Sequence, residues 1–593
     1  MTSPHGEYEA RLRARRAEQT RVEKSDALIA YARLAVFVAG AAIAWIVFVE
    51  NAIASLWLAL PLLAFVALVV WHGRVLEDLA RIRRSVTFYE RGIARLEDRW
   101  AGTGPTGERF AAADHPHAAD LDLFGDGSLF QLVAAARTAA GEEALARILS
   151  APARADDVRE RQDAVRELTA KLDLREELAL LGGDIPAASD GAILRVWAEE
   201  PPRVAGTAVR ITAVLLSALA LMALAGWLSG AASRAWFLGA VLVEMGFFLR
   251  ERGRVGRIIG AVEKPGRDLK LLASVLARLE RERFEAPLLR RLNEDLATGG
   301  VPPSGRIAAL GRLVDLLDAR KNQLFAPVAA ILLWTVHLAD AVEAWRLAHG
   351  RPALRWLSAA AELEALSSLA GYAYEHAADP YPEIAAGPCF VGAGLVHPLL
   401  PRQGSVGNDV RLDGEQRVIV VSGSNMSGKS TLLRTVGVNA VLAMAGAPVA
   451  ARSLTLSPVA IGATLHIQDS LQAGRSRFFA EITRIRALVD LTAGPFPLLF
   501  LLDEVLHGTN SHDRVVGAES LVRGFIARGA IGLLTTHDLA LAGVAETLAP
   551  RAANVHFEDH LEEGQIAFDY VLRPGMVKKS NALALMRSIG LDV

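Results

Sequence analysis

Residues 421–437, Val-Ser-Gly-Ser-Asn-Met-Ser-Gly-Lys-Ser-Thr-Leu-Leu-Arg-Thr-Val-Gly, decide how this chain is read. Gly423 through Ser430 fit G-x-x-x-x-G-K-[ST], a loop whose backbone N–H groups cradle phosphates. The apolar run Val418–Val421 leads in as a strand, and Thr431–Val441 leads out in a helix-compatible pattern. That order aims loop amides and a helix N-terminus at a polyphosphate. The stretch therefore predicts an ATP or GTP site built from Gly423, Ser424, Asn425, Met426, Ser427, Gly428, Lys429, Ser430 and Thr431.

Two downstream segments complete the pattern. Pro497–Leu502 is a short continuous apolar run, as a buried parallel strand requires, and it ends in the acid pair Asp503-Glu504. Ala530–Leu534 is a second such run and ends in Thr535-Thr536-His537-Asp538. All three polar clusters fall at the C-terminal ends of predicted strands, the edge at which open α/β sheets bind ligands.

Composition narrows the classes. The 593 residues are enough for several domains, and 52% are hydrophobic, with a mean hydropathy of +0.27 that is high for a purely soluble chain. A formal net charge of −2 leaves no global basic field, so any DNA affinity would need a local basic surface. The single cysteine, Cys389, excludes an internal disulfide and a cysteine-rich metal site.

Leu34–Val49 and Ala52–Trp71 run 16 and 20 residues without charge, and read as a helical hairpin of membrane-crossing length. A second pair is Ile211–Ser233 and Ala235–Leu249; the latter is short and carries Glu244. Arginines and Lys24 precede the first pair, arginines follow both, and the short connections at Glu50-Asn51 and Arg234 are nearly free of positive charge. By the positive-inside rule this predicts a multi-pass protein of the inner or cytoplasmic membrane, with both termini and the nucleotide site in the cytoplasm. The competing reading is two hairpins buried in the core of a large helical protein.

The expected organisation is a basic N-terminal segment (1–33), a transmembrane hairpin (34–71), a juxtamembrane helix and linker (72–120), a helical core (121–208), a second hairpin (209–250), a further helical core or lever (251–378), and a P-loop ATPase domain with a C-terminal helix (379–593). Helices are expected at Asp268–Leu296, Ile307–Leu317, Leu324–Leu347 and Leu354–Ala377. Trp334, Trp345 and Trp356 recur every eleven residues and are read as core packing, because no basic residues interleave with them. The fold class is thus multi-domain: an α-helical core carrying membrane hairpins, then an α/β P-loop domain of ABC-like type.

Asn425-Met426-Ser427-Gly428-Lys429-Ser430-Thr431 resembles the nucleotide loop of the MutS family of DNA mismatch-repair ATPases. His397-Pro398-Leu399-Leu400 and Gly407-Asn408-Asp409 resemble the segment leading into that family's ATPase, and Asp469, Ala473 to Phe478 and Glu481 its signature segment. Gly508-Thr509-Asn510-Ser511 with Asp513 resembles its loop after Walker B, Thr536-His537 its switch histidine, and Lys579 to Leu583 its closing helix. Leu121 to Leu129, Thr138 to Gly141 and Arg161 to Arg166 are similar to the start of its core domain. Two departures mark a divergent branch. The roughly 120 residues before the core are taken up by the hairpin and linker, leaving no room for mismatch-reading domains, and a mid-chain hairpin stands where the family has lever helices.

These residues suggest roles for phosphoryl transfer, which needs positioning and charge neutralisation. Lys429 would reach the β/γ oxygens of ATP; Ser430 and Asp503 would hold Mg²⁺, the latter mostly through water. Glu504 would orient the attacking water, and His537 would sense the γ-phosphate. The resemblance implies that Ser476 completes the site of a second subunit, hence a homodimer, and that the load is DNA. Arg475 and Arg477 could contact phosphate or face solvent, and His507 and His512 are read as surface residues. Two further readings stand beside this one: an ATP-driven membrane switch acting on a protein partner, and an ABC-type transporter. Against the transporter, Leu-Ser-Gly-Gly-Gln is absent and the four apolar segments carry no charged residue except Glu244 to line a path.

Overall fold

The computed structural model describes residues 3–577 except 51, 182–190, 204–205, 297–300, 323–324, 425, 466–476, 507–508 and 563–564. It forms two compact units, one of Met1–Ala135, Ala146–Gly183 and Ser367–Val593, the other of Ala136–Leu145 and Asp184–Leu366. The chain is mostly helical before residue 380 and α/β after it.

Among the described residues, the α/β part of the first unit holds ten strands: β1 (Glu383–Ile384), β2 (Phe390–Leu395), β3 (Asn408–Leu412), β4 (Val418–Ser422), β5 (Ser453–Leu456), β6 (Ala460–Thr464), β7 (Leu498–Leu502), β8 (Ile531–Thr536), β9 (Ala552–Glu562) and β10 (Gln565–Pro574). Six of them make one sheet in the order β10-β9-β4-β8-β7-β6, parallel from β9 to β6, with β10 antiparallel on its edge. The other four form a small sheet, β1-β5-β2-β3. Every residue of β4, β7 and β8 is buried, which explains why these strands read as unbroken apolar runs: they are covered on both faces. The helix Ser511–Ala527 covers one face with Ala518, Val522 and Phe525, whose ring stacks on Phe500 at 4.9 Å. Burial of each such Phe or Leu is worth about 1.5–3 kcal/mol. The loop helix Lys429–Ala445 packs so closely that a Cβ at Gly437 would come within 2.6 Å of Leu121 and 2.8 Å of Leu501.

The same unit contains a long N-terminal hairpin. The helices Pro4–Phe48 and Ala59–Leu96 are each continuous through a charged and an apolar half. In the charged half, Tyr8, Leu12, Val86 and Tyr89 form a buried cluster with Leu172. Two buried carboxylates tie this cluster to the rest of the unit. Glu375 receives both guanidinium nitrogens of Arg95 at 2.6 Å and the Tyr8 hydroxyl at 3.2 Å. Glu176 accepts from Tyr89 at 2.6 Å, from Arg15 at 2.9 Å, and from Ser85. In the apolar half, Leu34, Phe37, Trp45, Leu60, Leu63 and Trp71 are exposed.

In the second unit, Thr207–Leu228 is followed by the 46-residue helix Arg234–Leu279, then by Pro287–Leu296, Pro303–Ala319, Ala326–Ile331 and Trp334–Glu375, the last counted with the first unit from Ser367 on. The helix expected over Asp268–Leu296 is two helices, because Pro287 opens a new one. The helix expected over 324–347 is broken after the short helix Ala326–Ile331, and its remainder merges with the one expected over 354–377: Pro352 sits inside Trp334–Glu375, where the buried Ala353 and Trp356 hold the helix together by packing. Trp345 and Trp356 are core residues, and Trp345 stacks on Trp197 at 6.1 Å, whereas Trp334 is only half-buried. Arg346 and Glu343 form a fully buried ion pair, and Arg346 also donates to the carbonyls of Trp197, Glu200 and Pro201.

Among the described residues, three helices are long and apolar enough to cross a membrane, by length and composition: Pro4–Phe48, Ser55–Leu96 and Thr207–Leu228. Only 6%, 0% and 11% of their most apolar stretches are buried. The fourth apolar segment, 235–249, opens Arg234–Leu279, which falls outside that set.

The Arg95–Glu375 pair generates a test. Removing one partner of a buried pair costs about 3–5 kcal/mol. Glu375→Gln should therefore undock the charged half of the hairpin, seen as faster amide exchange in peptides containing Tyr8 and Tyr89. Unchanged protection there would assign the docking to the apolar cluster alone.

Candidate nucleotide site

The loop after β4 turns on Gly428, whose φ of +104° favours glycine and which caps the helix Lys429–Ala445. This places Lys429 at the helix start, with its ammonium donating to the carbonyls of Gly423 at 3.0 Å and Ser424 at 2.8 Å. Burial pushes the Lys429 pKa down, while Glu504 and Asp503 oppose that shift. The Lys429 Nζ lies 3.8 Å from Glu504 Oε1.

The ends of β4, β7 and β8 meet around Asp503. Ser430 Oγ donates to its Oδ2 at 2.6 Å, and Thr535 Oγ1 donates to its Oδ1. Thr535 Oγ1 also accepts from the Glu504 backbone N–H at 3.0 Å. Glu504 itself has φ +47°, an unusual backbone for a non-glycine, and Leu506 follows at +59° with its N–H bonded to the buried Glu481. Such outliers collect where a site over-determines the chain. The turn brings Glu504 Oε1 within 3.1 Å of His537 Nδ1.

A cavity of about 830 Å³ opens over these groups, lined by Lys429, Ser430, Thr431, Asp503 and Glu504, and on its other side by His397, Val406, Asn408 and Tyr570. The residues suit a magnesium–nucleotide ligand. Ser427 Oγ is buried and has no hydrogen-bond partner among the described residues, an acceptor-seeking group inside the phosphate loop. Ser430 and Asp503 supply two oxygens, and Mg²⁺ ordinarily draws its other ligands from phosphates and water. No group of three or more potential metal-binding side chains occurs among the described residues.

Of the sequence-predicted site, the fold brings together Gly423, Ser424, Ser427, Gly428, Lys429, Ser430, Thr431, Asp503, Glu504 and His537. Met426 also lines the cavity, from the outer lip of the loop, 84% exposed with φ +69°. Asn425, Ser476, Arg475, His507 and the closing segment at 579–583 lie outside the described residues. Two contributors have no role assigned by the motif pattern, although Thr535 belongs to the polar cluster that ends β8. Thr535 clamps Asp503 from the neighbouring strand. Tyr570 sits in a break of the β9–β10 register, held there by Asn408, whose side chain donates to the Tyr570 carbonyl at 2.9 Å and accepts from the Leu572 N–H at 2.7 Å.

The linker before the helical core docks on the same sheet. His117 Nδ1 lies 2.8 Å from the Ile461 carbonyl, and Asp120 accepts from the Leu465 N–H and from Arg484, both at 2.8 Å. Burial pushes the His117 pKa down to about 3 and the His397 pKa to about 4.

A family model described as MutS domain V matches residues 419–592. The DNA mismatch repair protein MutS 2 of Halobacterium salinarum is 34% identical over 40% of this chain and 28% of its own length. The DNA mismatch repair proteins MutS of Natronomonas pharaonis and Chloroflexus aurantiacus are 32% identical over 39% of the chain and 27% of theirs, and 30% identical over 33% and 21%. The chain thus spans about a quarter of the length of these relatives, and the likeness lies in its C-terminal part.

The buried imidazoles set a pH dependence. Their folded pKa values lie below the unfolded value near 6.5, so the unfolded chain binds more protons between about pH 4 and 6.5, and stability falls as pH is lowered through that window. Each contributes up to about 1.4 kcal/mol per pH unit. The melting temperature should hold above pH 7 and drop below 6, and the acid slope should be shallower in His117→Asn. An identical slope in that variant would place the effect elsewhere.

Proposed function

We propose that this chain, whose C-terminal part belongs to the MutS family, is a membrane-anchored ATPase that couples ATP hydrolysis to a conformational change acting on DNA. The observation that carries the reading is the junction of Ser430, Asp503 and Thr535 beneath Lys429, with Glu504 turned toward His537. ATP with Mg²⁺ supplies the phosphoryl group and part of the charge neutralisation when bound. Lys429 exchanges its two carbonyl partners for phosphate oxygens. Ser430 and Asp503 would hold Mg²⁺, which would supply charge neutralisation, and the loop amides would take the remaining phosphate charge. Glu504 orients the attacking water as a hydrogen-bond acceptor, and His537, on the same carboxylate, reports whether the γ-position is filled. By family likeness, Ser476 completes the site of a second copy, so the active form is a homodimer with two composite sites.

The exposed apolar helices and the arginine-rich flanks support insertion in a cytoplasmic membrane, with the sheet on the cytoplasmic side. The likeness to DNA mismatch repair proteins supports DNA as the load. A second reading, a membrane switch working on a protein partner, is favoured by the net charge of −2, which supplies no general attraction to phosphate backbones.

Purified full-length protein separates these readings. Lys429→Ala should lose nucleotide binding, and Glu504→Gln should retain ATP while its turnover falls by about 100-fold or more. Unchanged turnover in Glu504→Gln would remove it from the chemistry. DNA should stimulate the wild-type rate, and the stimulation should weaken from low to moderate salt; a rate indifferent to duplex, mismatched and branched DNA would select the protein-partner switch.

A further inference from the structure

A second cavity, about 380 Å³, is not used by the ATPase. It lies against the helix Arg234–Leu279, which contributes Val241 and Phe248, and the short helix Ala326–Ile331, which contributes Ala329 and Ile331. The walls are apolar apart from Thr335 and two charged side chains, Glu244 and Arg320. Glu244 is 3% exposed, and its Oε1 has no hydrogen-bond partner among the described residues. Ser217, on the neighbouring helix Thr207–Leu228, is also buried with an unpartnered hydroxyl. It stands 11 residues before the end of its helix and Glu244 10 residues after the start of the next, so the two lie at the same level of the hairpin. The outward face at this level is apolar, with Leu238, Leu242, Val243 and Leu249 all at least half exposed.

A buried carboxylate with a free acceptor is costly unless a donor meets it. In apolar segments of this kind an ionisable residue marks a functional site, with a partner to be named. The partner must bring an N–H cation to Glu244 and an anion to Arg320 a few bonds away. It must also carry an apolar body that follows the outer face. We infer that the cavity holds the headgroup of a phospholipid with a primary ammonium, of the phosphatidylethanolamine class. Its ammonium donates to Glu244, and its phosphate pairs with Arg320. A quaternary ammonium has no N–H to give, so a choline headgroup leaves Glu244 unpaired; a glycerol headgroup brings no cation. The inference rests on the membrane-anchored reading of this hairpin.

The test uses full-length protein, delipidated in mild detergent and re-equilibrated with equal amounts of phosphatidylethanolamine, phosphatidylcholine and phosphatidylglycerol. Native mass spectrometry then reads the lipid retained. Wild type should retain phosphatidylethanolamine about tenfold over the other two, the ratio that one charge-assisted hydrogen bond supplies. Glu244→Gln should lose that preference, and Arg320→Gln, whose partner phosphate all three lipids share, should lower retention of all three together, each keeping the wild-type ATPase rate. Equal retention of the three lipids by wild type, or an undiminished preference in Glu244→Gln, would overturn the site. Displacement by phosphoethanolamine at equal concentration would assign the cavity to the soluble headgroup and not to a lipid. Membrane anchorage is read separately: a chain released from membranes by carbonate, without detergent, overturns both the anchorage and the lipid site, whereas a chain needing detergent but showing no preference overturns the site alone.

Discussion

Asp503 is the point on which the first unit depends. Its two oxygens accept hydroxyl protons from Ser430, on the helix after β4, and from Thr535, on β8, so one carboxylate fixes the relative height of three parallel strands. Charge-assisted bonds of this kind are about twice as strong as neutral ones. Because Thr535 also holds the Glu504 amide, the same hydroxyl that braces Asp503 sets the backbone twist that swings Glu504 toward His537. The chemistry and the register of the sheet therefore share atoms, and neither can be altered without the other.

The apolar covering around this junction explains its rigidity. β4, β7 and β8 are buried along their whole length, and close contacts such as that at Gly437 leave no room for the loop helix to slide. Interiors packed to crystal density move between discrete arrangements and do not deform continuously. A change at Glu504 or His537 is thus passed on as a step. Leu121, Asp120 and His117 stand directly in its path, because the linker is bonded to β6, to Leu465 and to the helix carrying Arg484.

Much of this was legible in the residues. The phosphate loop, the acid pair and the Thr-Thr-His cluster are short local patterns at strand ends, and the fold puts them together because a parallel sheet aligns those ends. The unbroken apolar runs of β4 and β7 revealed burial on two faces for the same reason. What escaped the sequence is what depends on partners distant along the chain. Asn408 lies 162 residues from the carbonyl it binds, and no strand pattern announces the register break that it stabilises around Tyr570. Pro352 reads as a helix breaker, yet packing at Ala353 and Trp356 carries the helix through it. Glu176 and Glu375 read as ordinary charges within helical stretches; only the folded chain shows that arginines and tyrosines of the N-terminal hairpin converge on them.

That convergence has a consequence for assembly. Arg95, Tyr8 and Glu375 make the charged half of the hairpin a stiff mast and not a tether, since the helices that run outward as apolar rods are the same helices that grip the ATPase unit. If those apolar rods are inserted in a bilayer as proposed, two copies would meet in a plane, at a fixed height and with only one axis of rotation left to search. Most of the orientational entropy lost on pairing would already be forgone before encounter, and a contact face too weak to hold a dimer in free solution would suffice.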